Sequence, residues 1–243
     1  NWLPFVNLTT LISILIIGCS SEKDYFPLFE GKVMKYHLEF SDKGNKTSFS
    51  KQTYTVLDKK NNTYSVLGNS GQFIKYSKNS DGIKREKIDY IKSEYILNND
   101  GKIKKYKNFD LPKDKIDREE NHYVIKFPIK IGTSWVVNDL TRLKMIIGYD
   151  KVFETWIPFE LTNKIDAVGE NVRIKNKIFK NCIKVVGKGV TSYNVGPPLG
   201  NINIEVINTD WFAPGVGLVK TIRSETSDSE ITGQINTVRT FEQ

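Results

Sequence analysis

Residues 211–220 read W-F-A-P-G-V-G-L-V-K, and this stretch indicates how the chain folds. Its aromatic start is typical of a strand end, because large apolar side chains pack well on a pleated surface. Pro214 and Gly215 mark a turn, since proline removes a backbone donor and glycine accepts a positive φ. A second strand restarts after Gly217. We interpret the stretch as structural, with aromatic side chains that can plug one end of a sheet; the alternative is a place at the mouth of a ligand site.

Similar strand-like runs and turns recur along most of the chain. Turn residues such as Asp81 and Gly82 separate runs with an apolar period of two. No stretch combines a helical apolar period with caps, and residues 108–121 predict a polar connection or a short helix. The pattern predicts an all-β antiparallel fold. The predicted strands are residues 32–40, 48–57, 64–67, 72–77, 84–91, 94–97, 142–149, 154–165, 170–174, 182–190, 203–208, 221–227 and 235–241.

Two segments that lie 101 residues apart share the pattern F-P-(aliphatic)-x-x-G-x-x-(large apolar). The first is F-P-L-F-E-G-K-V-M at residues 26–34, and the second is F-P-I-K-I-G-T-S-W at residues 127–135. In both, proline ends or edges a strand and glycine permits a turn with positive φ. The repetition predicts two halves of similar topology, residues 25–126 and 127–243, that form either two lobes or one long curved sheet.

The N-terminal run indicates export and lipid attachment. Residues 3–18 are almost entirely apolar or hydroxylic, which is shorter than the roughly 20 residues of a spanning helix and suits a signal sequence. Residues 16–19, I-I-G-C, resemble the bacterial lipobox. We expect a signal peptide at 1–18 that begins part-way through, a lipidated Cys19 with a tether at 19–24, and a β domain at 25–243. The alternatives are an uncleaved membrane anchor and an ordinary signal peptide with a chance cysteine.

The lipobox resemblance implies a location and a partner. In that family the cysteine carries acyl chains such as palmitate, which would hold Cys19 at a membrane. Ser20 rather than aspartate after the cysteine favours the outer membrane. We therefore expect a lipid-anchored protein of the cell envelope, on the outer membrane and facing the periplasm.

Charge and cysteine content limit other partners. The formal net charge is +8 and the pI is about 9.2, but lysines alternate along the predicted strands and are typical of solvated strand faces. We therefore predict no nucleic-acid partner. Once Cys19 is acylated, Cys182 is the remaining thiol, so an intramolecular disulfide is excluded. Cys182 lies in a strand-like run and is predicted to be a small buried apolar residue.

Four landmarks together resemble a group of uncharacterised bacterial lipoproteins. They are the early Y-F-P-L-x-x-G, the middle F-P-(aliphatic)-x-x-G-x-x-W, F-K-N-C-I-K-V at residues 179–185, and the W-[YF]-A-P-G-V-G-x-V-K motif at residues 211–220. The resemblance spans roughly residues 25–225. It departs at residues 176–178, where that group usually has a turn of small residues. It implies a strongly curved antiparallel sheet, an open half-barrel similar to periplasmic lipoprotein carriers, and no reaction.

Signals for catalysis are nearly absent from the sequence. The two histidines, His37 and His122, have no metal-ligand spacing, and the acidic residues between 114 and 120 lack the spacing and glycine of an EF-hand. Cys182 has no base nearby in the sequence. We predict that the protein is not an enzyme and has no metal and no cofactor, although an unrecognised active site remains an alternative.

Binding is the function that the curved sheet favours. Its concave side can line a groove for a lipid or another hydrophobic ligand. The candidate lining residues are Trp135, Trp156, Phe159, Trp211 and Phe212. Plain core packing explains the same residues equally well. The other hypothesis is a structural role, in which a sheet edge or the loop at residues 193–200 docks an envelope protein.

Overall fold

A computed structural model describes residues 23–42, 47–90, 95–97, 100–105, 122–147, 151–197, 200–229 and 232–242. Cys19 with its lipobox, the predicted connection at residues 108–121 and the acidic residues between 114 and 120 lie outside these ranges. Within these ranges there is no helix that is long and apolar enough to cross a membrane.

The described residues form β-strands joined by turns, which confirms the predicted all-β class. The strands are Val33–Ser41 (β1), Thr47–Lys60 (β2), Thr63–Gly68 (β3), Gln72–Asn79 (β4), Gly82–Tyr90 (β5), Tyr95–Leu97 (β6), Ile103–Lys105 (β7), His122–Lys126 (β8), Ser134–Ile147 (β9), Lys151–Ile174 (β10), Lys177–Asn194 (β11), Asn201–Ala213 (β12), Gly217–Ser227 (β13) and Gln234–Phe241 (β14).

Twelve of these strands make one antiparallel sheet. Their order is β8-β5-β4-β3-β2-β1-β14-β13-β12-β11-β10-β9, and β6 pairs with β7 separately. The first and last strands meet in the middle, where Tyr36 faces Phe241. Strands up to Lys126 fill one half of the sheet, and strands from Ser134 fill the other. The two predicted halves therefore share one sheet, while their similarity as repeats stays a prediction.

Several strands are longer than their sequence pattern predicted. The runs at residues 154–165 and 170–174 belong to the single strand β10, and β9 begins eight residues before the predicted start at 142. β8 was not predicted. β10 stays continuous because register shifts between Ile165 and Val172 absorb extra residues as bulges, and Gly169 there has a φ of 93°. Bulges of this kind also bend a strand.

The sheet curls until its two edge strands meet. In β12, the buried Ile202, Ile204 and Val206 alternate with exposed residues, so one face of the strand is the inside. At the edges, the indole Nε1 of Trp135 in β9 donates a 2.9 Å hydrogen bond to the carbonyl oxygen of Tyr123 in β8. This contact joins strands at opposite ends of the sheet order and nearly closes a barrel.

Residues before β1 cross one end of this curl, which we call the plugged end. The backbone N–H of Gly215 donates to the carbonyl of Asp24 at 2.8 Å, and the Asp24 carboxylate pairs with Lys78 at 2.9 Å. Gly215 lies in the turn before β13 and Lys78 lies in β4, and four strands separate β4 from β13 in the sheet. The segment therefore spans the inside of the curl at this end.

The two F-P-x-x-x-G segments form the same hydrogen-bonded turn. Gly31 and Gly132 have φ values of 79° and 93°, as the pattern predicts. Gly31 donates from its N–H to Val56, and Gly132 donates likewise to Ile165, each over 2.9 Å. Each turn thus bonds a neighbouring strand and starts the strand that follows it.

Candidate functional site

The inside of the curled sheet contains a cavity of about 340 Å³. This volume is near the lower end of the roughly 300–1,000 Å³ that is common for small-molecule sites. Its walls are mixed rather than apolar, with tyrosines, amides, arginines and aspartates. The lining side chains are Phe26, Met34, Tyr36, Tyr54, Val66, Gln72, Ile74, Tyr76, Arg85, Tyr123, Val124, Val137, Asp139, Leu161, Asn163, Asn208, Asp210, Phe212, Leu218, Thr221, Arg223, Thr237 and Arg239.

A cluster of charged side chains ties β13 to β9 across the inside of the sheet. The guanidinium of Arg223 donates to Asp139 Oδ2 at 2.6 Å, to Glu225 Oε1 at 2.6 Å and to the carbonyl of Leu140 at 3.0 Å. Thr141 donates to the other oxygen of Glu225 at 2.7 Å. Strands β10, β11 and β12 separate β9 from β13 in the sheet. We call these side chains the clasp, because they bridge strands that are not neighbours in the sheet.

Beside the clasp lies a second arginine with fewer partners. The guanidinium carbon of Arg239 is 5.9 Å from the ring centre of Tyr36, within reach of a cation–π contact. Its Nε atom is buried and has no hydrogen-bond partner among the described residues. Burial raises the pKa of the Tyr36 hydroxyl far above its ordinary value, so Tyr36 stays neutral beside the arginine. Arg239 therefore presents an unsatisfied N–H donor inside the sheet.

Asp210 is a buried carboxyl group of the cavity wall, and the charge of Arg239 acts on it. It accepts hydrogen bonds from Thr221 at 2.6 Å and from Asn208 at 2.7 Å. Burial raises the pKa of Asp210 above its ordinary value, although these two hydrogen bonds and the charges of Arg239 and Arg223 lower it in part. Removal from water outweighs the stabilisation of the charged form, so the Asp210 carboxyl binds its proton more tightly than a free aspartate does.

The plugged end of the cavity is aromatic. The ring of Phe26 lies 5.1 Å from Tyr76 and 6.2 Å from Phe212, measured between centres. Lys32 fixes this segment, because its Nζ donates to the carbonyls of Pro27 at 2.6 Å and Val216 at 2.8 Å. Burial lowers the pKa of Lys32 to about 8, against the opposing influence of Asp24. One end of the cavity is therefore apolar and anchored.

Phe159 and Phe212, two of the five predicted lining residues, are buried near the cavity and the clasp. Phe212 is fully buried and lines the cavity. Phe159 is buried under the clasp, with the Arg223 guanidinium 5.9 Å from its ring centre. Its ring fills the space that a side chain at Gly189 would occupy, since a Cβ there would lie 2.6 Å from two ring carbons. Phe159 also lines a shallow depression beside Gly189.

The three tryptophans occupy other places. Trp135 is buried at the junction of the two sheet edges. Trp211 is half-buried, and its indole N–H donates to the Glu170 carboxylate at 2.9 Å while Lys220 lies over its ring. Trp156 is 41 % exposed. None of these three lines the 340 Å³ cavity, and the ligand role predicted for the five residues stays a prediction.

The charged residues of the interior were not predicted from the sequence. None of Asp139, Asp210, Arg223 and Arg239 was predicted as a site residue. The available signal is strand parity: in β13, Thr221, Arg223 and Glu225 share one face, and all three contact interior groups. Strand parity shows which residues share a face of the strand. It identifies the interior charges only when the inner face of the sheet is known.

Cys182, one of the residues considered for chemistry, is buried. Its thiol lies 3.5 Å from the carbonyl of Phe179, and burial raises its pKa, which disfavours the reactive thiolate. The prediction of a small buried residue is confirmed. His37 stacks on Phe49, whose side chain is largely exposed. No group of three histidine, cysteine, aspartate or glutamate side chains within the described ranges is placed to hold a metal ion.

No family model matches the sequence, and no curated protein is similar to it. Three solved structures show a distant likeness. A candidate lipoprotein from Parabacteroides distasonis is 14% identical, with a TM-score of 0.38, over 90% of this chain and 99% of that chain. A candidate exported protein with a YmcC-like fold from Bacteroides fragilis is 11% identical, with a TM-score of 0.39, over 91% and 100%. The hypothetical lipoprotein YmcC from Escherichia coli is 12% identical, with a TM-score of 0.36, over 86% and 83%.

Proposed function

We propose that this chain is a lipid-anchored protein of the cell envelope that binds a small ligand inside its curled sheet and catalyses no reaction. The observation that carries the binding role is the interior cavity, in which the buried Nε of Arg239 faces no acceptor among the described residues. A buried donor without a partner is costly to keep, and such groups are usually satisfied in folded proteins. A bound molecule would supply the acceptor.

The lining favours an amphiphilic ligand over a purely hydrophobic one. The aromatic plugged end, with Phe26 and Phe212, offers apolar surface, whereas the buried Nε of Arg239 requires a polar group. A bare hydrocarbon would leave this donor without a partner, which opposes its binding. Among the residues predicted to line a hydrophobic site, Phe212 keeps this role in the proposal.

The membrane anchor is proposed from Cys19 and from the path of the chain after it. The described chain begins at Lys23 and reaches the plugged end at Asp24, where it bonds to Gly215. A membrane attached at Cys19 would therefore lie near the plugged end. An outer-membrane position facing the periplasm is part of the same proposal and rests on Ser20.

Two experiments test the proposal in cells that produce the full chain. In the first, an alkyne-bearing palmitate analogue is fed to the cells; we expect label on the wild type and none on Cys19→Ser, and equal labelling would contradict the anchor. In the second, protein extracted from membranes is denatured, and the released small molecules are compared with those from Thr237→Phe, in which a ring fills the cavity. Identical released molecules would contradict the binding role.

The second candidate function is the docking of an envelope protein. The feature that favours it is the position of β9 at the edge of the sheet. β9 is fourteen residues long and lies at the edge of the sheet, a position that can template another strand. However, the N–H of Leu140 is bonded to Asp139 and its carbonyl to Arg223, so this edge is blunted in its middle. Crosslinking in cells from Val136 and from Val190 would reveal a docked envelope protein if this candidate holds.

A further inference from the structure

The charged side chains of the cavity wall differ in how many of their hydrogen-bonding atoms already have a partner. Arg223 uses its Nε and both terminal nitrogens on Glu225, Asp139 and Leu140. Asp139 and Glu225 thereby share one cation within the clasp. Asp210 is held by two neutral donors, Thr221 and Asn208. The acidic groups of this wall are therefore already bonded, and every nitrogen of the clasp arginine already donates to a protein oxygen.

Arg239 differs from Arg223 in this respect. Its Nε is buried without a hydrogen-bond partner in the described part of the chain, and its guanidinium lies over the Tyr36 ring. The ring face attracts the cation but accepts no directed hydrogen bond of full strength. Asp210 acts on Arg239 through charge alone, and burial raises the pKa of that carboxyl. Arg239 thus keeps donor capacity directed at the inside of the sheet.

We infer that the ligand is a small organic carboxylate, with its carboxylate at Arg239 and its apolar body against Phe26 and Phe212. The inference rests on the proposed function and names the ligand class of that site. A guanidinium matches a carboxylate in shape and charge, and such bonds are stronger than bonds between neutral groups. One negative charge fits better than two, because the single positive charge of Arg239 matches one carboxylate.

The cavity limits the size of this ligand. Its volume of about 340 Å³ suits a body of one ring or a short chain rather than a whole phospholipid. At the plugged end, the ring centre of Phe26 lies 5.1 Å from that of Tyr76 and 6.2 Å from that of Phe212, so these rings offer aromatic surface to such a body. Apolar burial at that end and the ionic hydrogen bond at Arg239 then act on the two ends of one molecule.

The test uses phenylacetate as the charged probe and phenylacetamide as its neutral counterpart. The full chain, held in nanodiscs, is titrated with each probe by ligand-observed NMR in the millimolar range. We expect phenylacetate to bind at least about tenfold more tightly than phenylacetamide, since a hydrogen bond to a charged group contributes that much. Equal affinities, or no binding of phenylacetate in that range, would overturn the inference.

Variants connect the preference to Arg239. Arg239→Gln is expected to lower phenylacetate affinity about tenfold or more and to leave phenylacetamide unaffected. Arg173→Gln removes the same charge from an exposed position and is expected to change neither affinity. Unchanged phenylacetate affinity in Arg239→Gln would overturn the inference. If Arg239→Gln does not fold, Arg239→Lys decides: it keeps the charge and should keep the preference for the charged probe.

The outcomes separate this inference from the proposed function. A native bound molecule that lacks an acidic group and is excluded by Thr237→Phe would preserve the proposed function and overturn the carboxylate inference. Absence of any native ligand together with absence of probe binding would overturn both. Because its Nε has no partner, we also expect Arg239→Gln to unfold at no lower temperature than the wild type without ligand; a large fall would assign Arg239 to structure instead.

Discussion

The guanidinium of Arg223 in β13 lies 2.6 Å from the carboxylate of Asp139 in β9, although three strands separate β13 from β9 in the sheet. The two residues meet because the sheet curls, and their ion pair bridges strands that are not neighbours. The same guanidinium binds Glu225 on its own strand. This clasp forms one wall of the cavity, and Trp135 with Tyr123 closes the sheet edges nearby.

Replacing the clasp arginine should destabilise the fold. In Arg223→Met, Asp139 and Glu225 lose their cation while they stay largely buried, at 28% and 13% side-chain exposure. We expect a loss of about 2–4 kcal/mol in the free energy of unfolding, measured with urea. The control is Arg142→Met, which breaks the more exposed pair with Glu154 and should cost less than about 1 kcal/mol. Equal losses in the two variants would mean that the clasp does not hold the curl.

The plugged end should respond to alkaline pH through Lys32. Burial lowers its folded-state pKa to about 8 from 10.5, so the unfolded chain binds more protons between these values. Stability should therefore rise with pH across this window, and Lys32→Met should lose that rise. Urea unfolding at several pH values measures both slopes, with Lys180→Met, a change at an exposed lysine, as the control. If the free energy of unfolding changes equally with pH in the wild type and in Lys32→Met, burial does not lower the pKa of Lys32.

Asp210 should act in the opposite direction at acidic pH. Its folded-state pKa is raised by burial, so the folded protein binds the proton more tightly than the unfolded chain does. Relative to Asp210→Asn, the wild type should gain stability as pH falls from neutrality through the raised pKa, and the gain should level off below about 3.8. The measurement is the difference in unfolding free energy between the two proteins across this range. A constant difference would contradict burial of this carboxyl.

Gly189 should not accept a side chain. A Cβ at this position would lie 2.6 Å from two ring carbons of Phe159 and 2.7 Å from the carbonyl oxygen of Glu160, closer than packed atoms allow. Gly189→Ala is expected to cost about 1–3 kcal/mol, because the Phe159 ring must move under the clasp. Val190→Ala, next in the strand and 70% exposed, should change stability by less than about 0.5 kcal/mol. A stable Gly189→Ala would show that the ring can leave this space freely.

The sequence predicts the local structure well and the inner face poorly. The alternation and the turn residues predict antiparallel strands, and the glycines of the two F-P-x-x-x-G segments have the expected positive φ. The alternation of side chains along a strand also distinguishes two of the five aromatic residues that were predicted to line a ligand site. Trp156 and Phe159 are three residues apart on one strand, so they face opposite sides, and Trp156 is the exposed one.

The interior charges could not be predicted because they depend on the curl. Arg223 and Asp139 are 84 residues apart in sequence and become neighbours only when β9 folds back over β13. A bulge also changes the parity of a strand, and β12 has a register shift between Trp211 and Phe212. Parity alone cannot locate such shifts. The composition of the cavity therefore follows from strand order, which one sequence does not specify.

Native mass spectrometry of the full chain, extracted from the membranes in which it is made, tests the binding role most directly. Thr237→Phe places a ring in the cavity, and Thr240→Phe places the same ring on the opposite face of the same strand. We expect an added small-molecule mass on the wild type and on Thr240→Phe, and none on Thr237→Phe. A bare wild-type mass, or the same added mass on all three proteins, would contradict the binding role.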